Sequence, residues 1–105
     1  MRVLFDQGTR FLYAVISPHH SVMTVFEKGW STLQNGELLL AAEQEAFEIF
    51  VTTDQNLKHQ QNLANYRLTI VILTTTSWPL IERQIYDVIT AIDTAKPFSL
   101  VEVRF

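Results

Sequence analysis

Apolar residues fall along the chain in short blocks divided by longer polar stretches. Five blocks are dense enough in β-branched and aromatic side chains to predict strands: RVLF (2–5), VMTVF (22–26), EIFV (48–51), RLTIVIL (67–73) and LVEVRF (100–105). Between them the spacing turns helical. In SWPLIERQIYDVITAID (77–93), Ile81, Ile85, Val88, Ile89 and Ile92 form one stripe, and Pro79 stands where a first-turn proline belongs, predicting a single helix. In NGELLLAAEQEAF (35–47), Asn35 is the expected N-cap, Leu38, Leu39, Ala42 and Ala46 the buried face, and Glu43 and Glu45 point outward. Shorter helices are expected within 9–16 and 57–65.

Strands alternating with helices, and a continuous apolar run TIVIL in the fourth strand, predict an α/β fold. The expected form is a three-layer doubly wound domain with a mostly parallel five-stranded sheet, in an order near 2-1-3-4-5. No repeat, low-complexity tract or linker divides the sequence, and Pro18, Pro79 and Pro97 read as local punctuation, so residues 1–105 are expected to form one domain. Sheets of this kind bind ligands outside the carboxyl ends of the strands where the order reverses, here between the first and third strands. Those two strands run into VLFDQG and FVTTDQN, so Asp6 and Asp54 fall at that edge.

Composition narrows the chemistry. The 105 residues are 48% hydrophobic, enough for a core without cross-links. They contain no cysteine, which removes thiol nucleophiles, thiolate zinc sites and disulfides and fits a reducing compartment. The opening MRVLFDQG meets an acid at position 6, before any apolar leader could form, and no apolar run approaches a membrane span. A cytoplasmic protein with no membrane partner is expected. The net charge of -3 argues against broad nucleic-acid binding through basic residues, although bound cations could supply positive charge locally.

Two aspartates just past neighbouring strands, roughly 4.8 Å apart in the sheet, would repel unless a cation or a retained proton relieved them. Carboxylate donors suit hard ions such as Mg²⁺ or Mn²⁺. Glu37, at the start of the helix after the second strand, would project on the same side as a third acid. Each also has a structural reading: Asp6 and Asp54 as caps or turn residues, Glu37 as a complement to the helix dipole. Glu27 is a candidate fourth acid or a solvated loop residue, and Asp87 and Asp93 fall on a solvated helix face. His19 and His20, adjacent in sequence, point poorly at one metal. Arg10, Lys58 and His59 could hold a phosphate or line a solvated face. Trp30 and Trp78 read as packing residues or as base-stacking surfaces. There is neither a glycine-rich phosphate loop nor a supported Ser-His-Asp arrangement.

The segments LFDQGT (4–9), GELLLAAE (36–43), TTDQNL (52–57) and TTSWP (75–79) resemble a compact PIN-like family of small bacterial proteins within the PIN domain superfamily, over nearly the whole chain. The resemblance implies a Mg²⁺- or Mn²⁺-dependent phosphodiesterase, often the ribonuclease of a toxin–antitoxin pair, with RNA as substrate and a small DNA-binding, antitoxin-like protein as partner. It assigns metal binding and catalysis to Asp6, Glu37 and Asp54, and the motif threonine to Thr52. Arg10, Thr52, Asn56 and Lys58 are the substrate-side candidates. Where such nucleases usually carry a fourth acid, two residues beyond the motif aspartate, this chain has Asn56, and the long helical insertion bearing another glutamate is missing. That departure keeps a second class open, a non-catalytic PIN-like module that binds an antitoxin-like partner. A receiver-like phosphoacceptor is a third, with Thr74 or Thr75 as its hydroxyl, though it lacks the acidic pair and lysine of receivers. A homodimer, the number of metals and the RNA cut are left open.

Overall fold

The computed structural model describes residues 1–6, 12–18, 20–59 and 63–105. Five strands, β1 (Arg2–Phe5), β2 (Ser21–Thr24), β3 (Ile49–Thr52), β4 (Thr69–Leu73) and β5 (Leu100–Val103), form one sheet in the order β2-β1-β3-β4-β5. Every pairing is parallel. The doubly wound α/β fold and strand order expected from the apolar pattern are therefore present. A parallel sheet leaves no room for hairpins, so helices must carry the chain back and cover both faces.

Alternation along each strand divides the core. Val3, Phe5, Ile49, Val51, Val71 and Leu73 face one side, where they pack with α1 (Tyr13–Ile16), α3 (Trp78–Arg83) and α4 (Ile85–Asp93) through Ile16, Ile81, Val88 and Ile92. Leu4, Phe50, Ile70 and Ile72 face the other, against α2 (Asn35–Gln44) through Leu38, Leu39 and Ala42. All five residues of β4 are buried, as a central strand covered on both faces requires. Trp30 and Trp78 both pack against these clusters, and Trp30 meets Phe47 edge-to-face at 6.1 Å, which is the packing role anticipated for them.

Several local expectations change. The segment 77–93 is two helices, joined at Gln84 with φ -116° and ψ 30°. With its amide nitrogen oriented to donate, Gln84 reaches Arg104 O (3.1 Å) and Asp87 Oδ2 (3.2 Å), a link to the end of the sheet that no local pattern encodes. The region 57–65 holds 3₁₀ turns at Gln55–His59 and Leu63–Asn65. The N-cap of α2 is Gln34, and Asn35 is the first helical residue.

At the other end of α2 the helix stops at Gln44, and Ala46 is exposed with φ 60° rather than buried. The Phe47 N–H donates to Ala42 O (3.0 Å) and the Ala46 N–H to Glu43 O (3.1 Å), the paired bonds of a Schellman terminus. Phe47 takes the buried place expected of Ala46. Glu43 turns inward: Oε1 accepts from the Arg67 N–H (2.9 Å) and Oε2 from the Leu68 N–H (3.2 Å) just ahead of β4. Glu45 stays exposed, 3.3 Å from Lys28 Nζ.

Candidate site at the carboxyl edge of the sheet

The strand order reverses between β1 and β3, and Phe5 pairs with Val51 there. The next residue, Asp6, donates its N–H to Val51 O (2.9 Å), which fixes its side chain beside Thr52 at the strand ends. Thr52 is fully buried, and a hydroxyl in such a place must find partners. It has two: Thr52 Oγ1 donates to Asp6 Oδ2 (2.7 Å) and accepts from the Asp54 N–H (3.1 Å). One hydroxyl thus couples the end of β1 to the loop after β3.

Asp54 is half-buried and held through both carboxylate oxygens. Oδ1 accepts from the Asn56 N–H (2.9 Å), an Asx turn that opens the following 3₁₀ segment, and Oδ2 accepts from Asn35 Nδ2 (3.0 Å) on the first turn of α2. The one-residue shift of the α2 cap makes this second contact available, because Asn35's amide is not spent on its own helix. Gln55 secures the same loop from the other side, donating from Nε2 to Leu73 O (2.7 Å) at the end of β4. The repeated Asp-Gln therefore has a partial explanation in the second copy: the aspartate closes the turn and the glutamine ties it to the neighbouring strand. Gln7, in the first copy, lies outside the described residues.

The remaining candidates divide. Glu37 is exposed at the start of α2, and Oε1 accepts from the Gln34 N–H (3.1 Å), the carboxylate half of a capping box. Asn56 is exposed, and its contribution to the Asp54 turn is its backbone N–H. Lys58 Nζ lies 3.6 Å from Glu102 Oε2 on β5, and His59 is exposed in the same 3₁₀ turn. Arg10 and His19 lie outside the described residues. Glu27 is engaged in its own turn: Oε1 accepts from the Thr24 N–H (3.1 Å) while its N–H donates to Thr24 Oγ1 (3.0 Å). His20 Nε2 sits 2.8 Å from Asp93 Oδ1, tying the start of β2 to the end of α4, so Asp93 is an ion-pair partner as well as a surface acid. Thr74 Oγ1 accepts from the Phe105 N–H (3.1 Å) and Thr75 Oγ1 from the Ser77 N–H (3.1 Å), so each hydroxyl of the phosphoacceptor alternative takes part in a backbone contact and keeps its O–H as a donor.

Asp6 and Asp54 are thus joined through Thr52, and Glu37 stands on α2 two residues after Asn35, which holds Asp54. Among the described residues, no group of three or more His, Asp or Glu side chains is gathered closely enough to hold a metal ion. The side-chain donors at this edge are carboxylate, amide and hydroxyl oxygens with no sulfur, the donor type that hard cations prefer. Asn35 and Gln55 are the positioning residues that sequence reasoning missed. In sequence they show only as an amide at a helix start and an amide directly after an aspartate. No family model matches the chain, and no curated protein or solved structure matches it. No helix among the described residues is long and apolar enough to cross a membrane.

Proposed function

We propose that this carboxyl edge belongs to a metal-dependent phosphodiesterase, a ribonuclease of toxin–antitoxin type acting in the cytoplasm. The observation that carries the reading is the Thr52 hydroxyl bridging Asp6 and the Asp54 backbone at the strand-order reversal. Ligand sites of doubly wound sheets fall at that edge, and acids fixed there are preorganised. Asp6 and Asp54 would hold Mg²⁺ or Mn²⁺, with Glu37 as the third carboxylate. When bound, such an ion activates water and stabilises charge on phosphate oxygens. The chain's own contribution is to hold the acids: Thr52 orients Asp6, and Asn35 and the Asn56 N–H orient Asp54. Lys58 and Arg10 are the substrate-side cations of this reading, Lys58 being available once it leaves Glu102.

The test is Mn²⁺- and Mg²⁺-dependent cleavage of a structured RNA panel by highly purified protein. Wild type should cut, and Asp6→Asn should abolish cleavage while its circular dichroism and melting remain those of a folded protein. Cleavage that persists in folded Asp6→Asn and Asp54→Asn would remove the proposal.

One observation favours a second reading, a PIN-like module that binds an antitoxin-like partner without turnover. Both oxygens of Asp54 already accept hydrogen bonds, and Asn56 stands two residues on, where the resemblance to PIN nucleases implies an acid. On that reading wild type cleaves nothing with either metal, and Asp54 variants fail chiefly by losing stability.

A further inference from the structure

The opposite end of the sheet carries a separate feature. A cavity of about 540 Å³ opens at the amino edge, between the start of β1, the α2–β3 junction, the start of β4 and the segment between α4 and β5. Its lining includes Arg2, Phe47, Glu48, Ile49, Arg67 and Pro97. The Arg2 guanidinium carbon lies 4.4 Å from the Phe47 ring centroid, stacked on its face. Arg2 Nε is buried and has no hydrogen-bond partner among the described residues. A buried N–H without an acceptor is costly and uncommon, and here the orphan donor belongs to a charged group in the lining of a cavity.

The acids in the lining bond backbone N–H groups and not the guanidiniums. Glu43 accepts from the Arg67 and Leu68 backbone N–H groups, and Glu48 Oε1 accepts from the Arg2 N–H (3.2 Å). Neither guanidinium forms an ion pair with a carboxylate among the described residues. The cavity therefore offers two planar guanidinium forks, one stacked within the lining and one exposed at the rim, between apolar walls.

We propose that this cavity binds a small organic anion, a carboxylate or phosphate monoester carrying a compact apolar group. The planar fork of arginine matches both head groups, and a cavity of this volume falls in the range of small-molecule sites. Ala46, Ala95 and Pro97, which keep exposed surface in the lining, would receive the apolar part. Glu43 and Glu48 frame the same cavity with negative charge, which disfavours an extended polyanion such as RNA more than a single anionic head that sits on a guanidinium fork. The site is independent of the carboxyl edge, since each strand runs from one to the other.

Benzoate and phenyl phosphate, with neutral benzamide as control, are the probes, and backbone amide chemical shifts of the ¹⁵N-labelled full chain are the readout. One or both anions should give saturable shifts at Phe47, Ile49 and Arg67, and benzamide none. Binding of benzoate alone assigns a carboxylate ligand, and of phenyl phosphate alone a phosphate. Arg67→Met and Arg2→Met should each weaken binding about tenfold or more, as expected for loss of a charge-assisted hydrogen bond. Asp54→Asn should leave it unchanged, so this outcome and that of the nuclease assay are read separately. Absence of saturable shifts with both anions, equal shifts with benzamide, or undiminished affinity in Arg67→Met would overturn the proposal. Arg67 is exposed, so its variant decides the matter should Arg2→Met fail to fold.

Discussion

Asn35 Nδ2 lies 3.0 Å from Asp54 Oδ2, so a single hydrogen bond fastens the first turn of α2 to the loop beyond β3. Asn35→Ala should cost about 1 kcal/mol, the usual net worth of such a bond when its partners are half-buried. Asp54→Asn can turn only one donor-free oxygen toward Asn35 or the Asn56 N–H, so it too should destabilise, by a similar amount. Chemical denaturation of the two single variants and the double variant should give a sum of single losses larger than the double loss, because both remove one contact. Strict additivity would show that the bond does not form in solution.

Thr52→Val keeps the shape of a fully buried side chain and deletes its hydroxyl. The Asp54 N–H then loses its acceptor and Asp6 loses a donor, and the expected cost is about 1–3 kcal/mol. Melting should fall by roughly 4–8 °C for each kcal/mol. Thr52→Ser retains the hydroxyl and should retain any metal-dependent activity, whereas Thr52→Val should lose it. Equal activity in the two would separate the bridge from catalysis.

Glu37→Gln distinguishes the cap from the metal. Glutamine can still accept from the Gln34 N–H, so metal-free stability should change by no more than about 0.5 kcal/mol. Millimolar Mn²⁺ should raise the melting temperature of wild type, by mass action on the native state, and raise that of Glu37→Gln less. An equal rise in both would assign Glu37 to the cap alone.

Ala46 carries φ 60° at the end of α2, a conformation that glycine adopts without the Cβ penalty. Ala46→Gly should therefore stabilise the protein by about 1 kcal/mol, seen as a higher denaturation midpoint at unchanged slope. A loss of stability would mean that the terminus is not left-handed in solution.

The parts that were legible in the sequence are those set by burial on a regular period. TIVIL announced a strand covered on both faces, and Leu38, Leu39 and Ala42 announced one face of α2. What escaped was decided by contacts between distant segments. Ile81 and Ile85 keep helical spacing across Gln84, so nothing local marks the break that its reach toward Arg104 accompanies. Ala46 continued the apolar stripe of α2, yet the chain had to turn there to bury Phe47. The aspartates at the sheet edge were visible because strand order dictates where strands end. Asn35, which bonds Asp54, and Gln55, which ties the same loop to β4, were not, because an amide that caps a helix and one that crosses to another element look alike in sequence.

The all-parallel sheet has a kinetic consequence. Arg2 pairs with Ser21, Val3 with Ile49, Ile49 with Thr69 and Ile70 with Leu100, so no strand meets a neighbour through a tight turn. Each pairing must close a long loop before its contacts repay the lost chain entropy. Refolding after denaturant dilution should therefore be slow beside that of a helical bundle of equal length. Core substitutions at the junction of three strands, such as Val51→Ala in β3, should slow the folding arm of the chevron more than Ile92→Val in α4 does. Until β3 settles between β1 and β4, the unpaired edges of the inner strands are exposed to neighbouring molecules, and the yield of refolded protein should fall as its concentration rises.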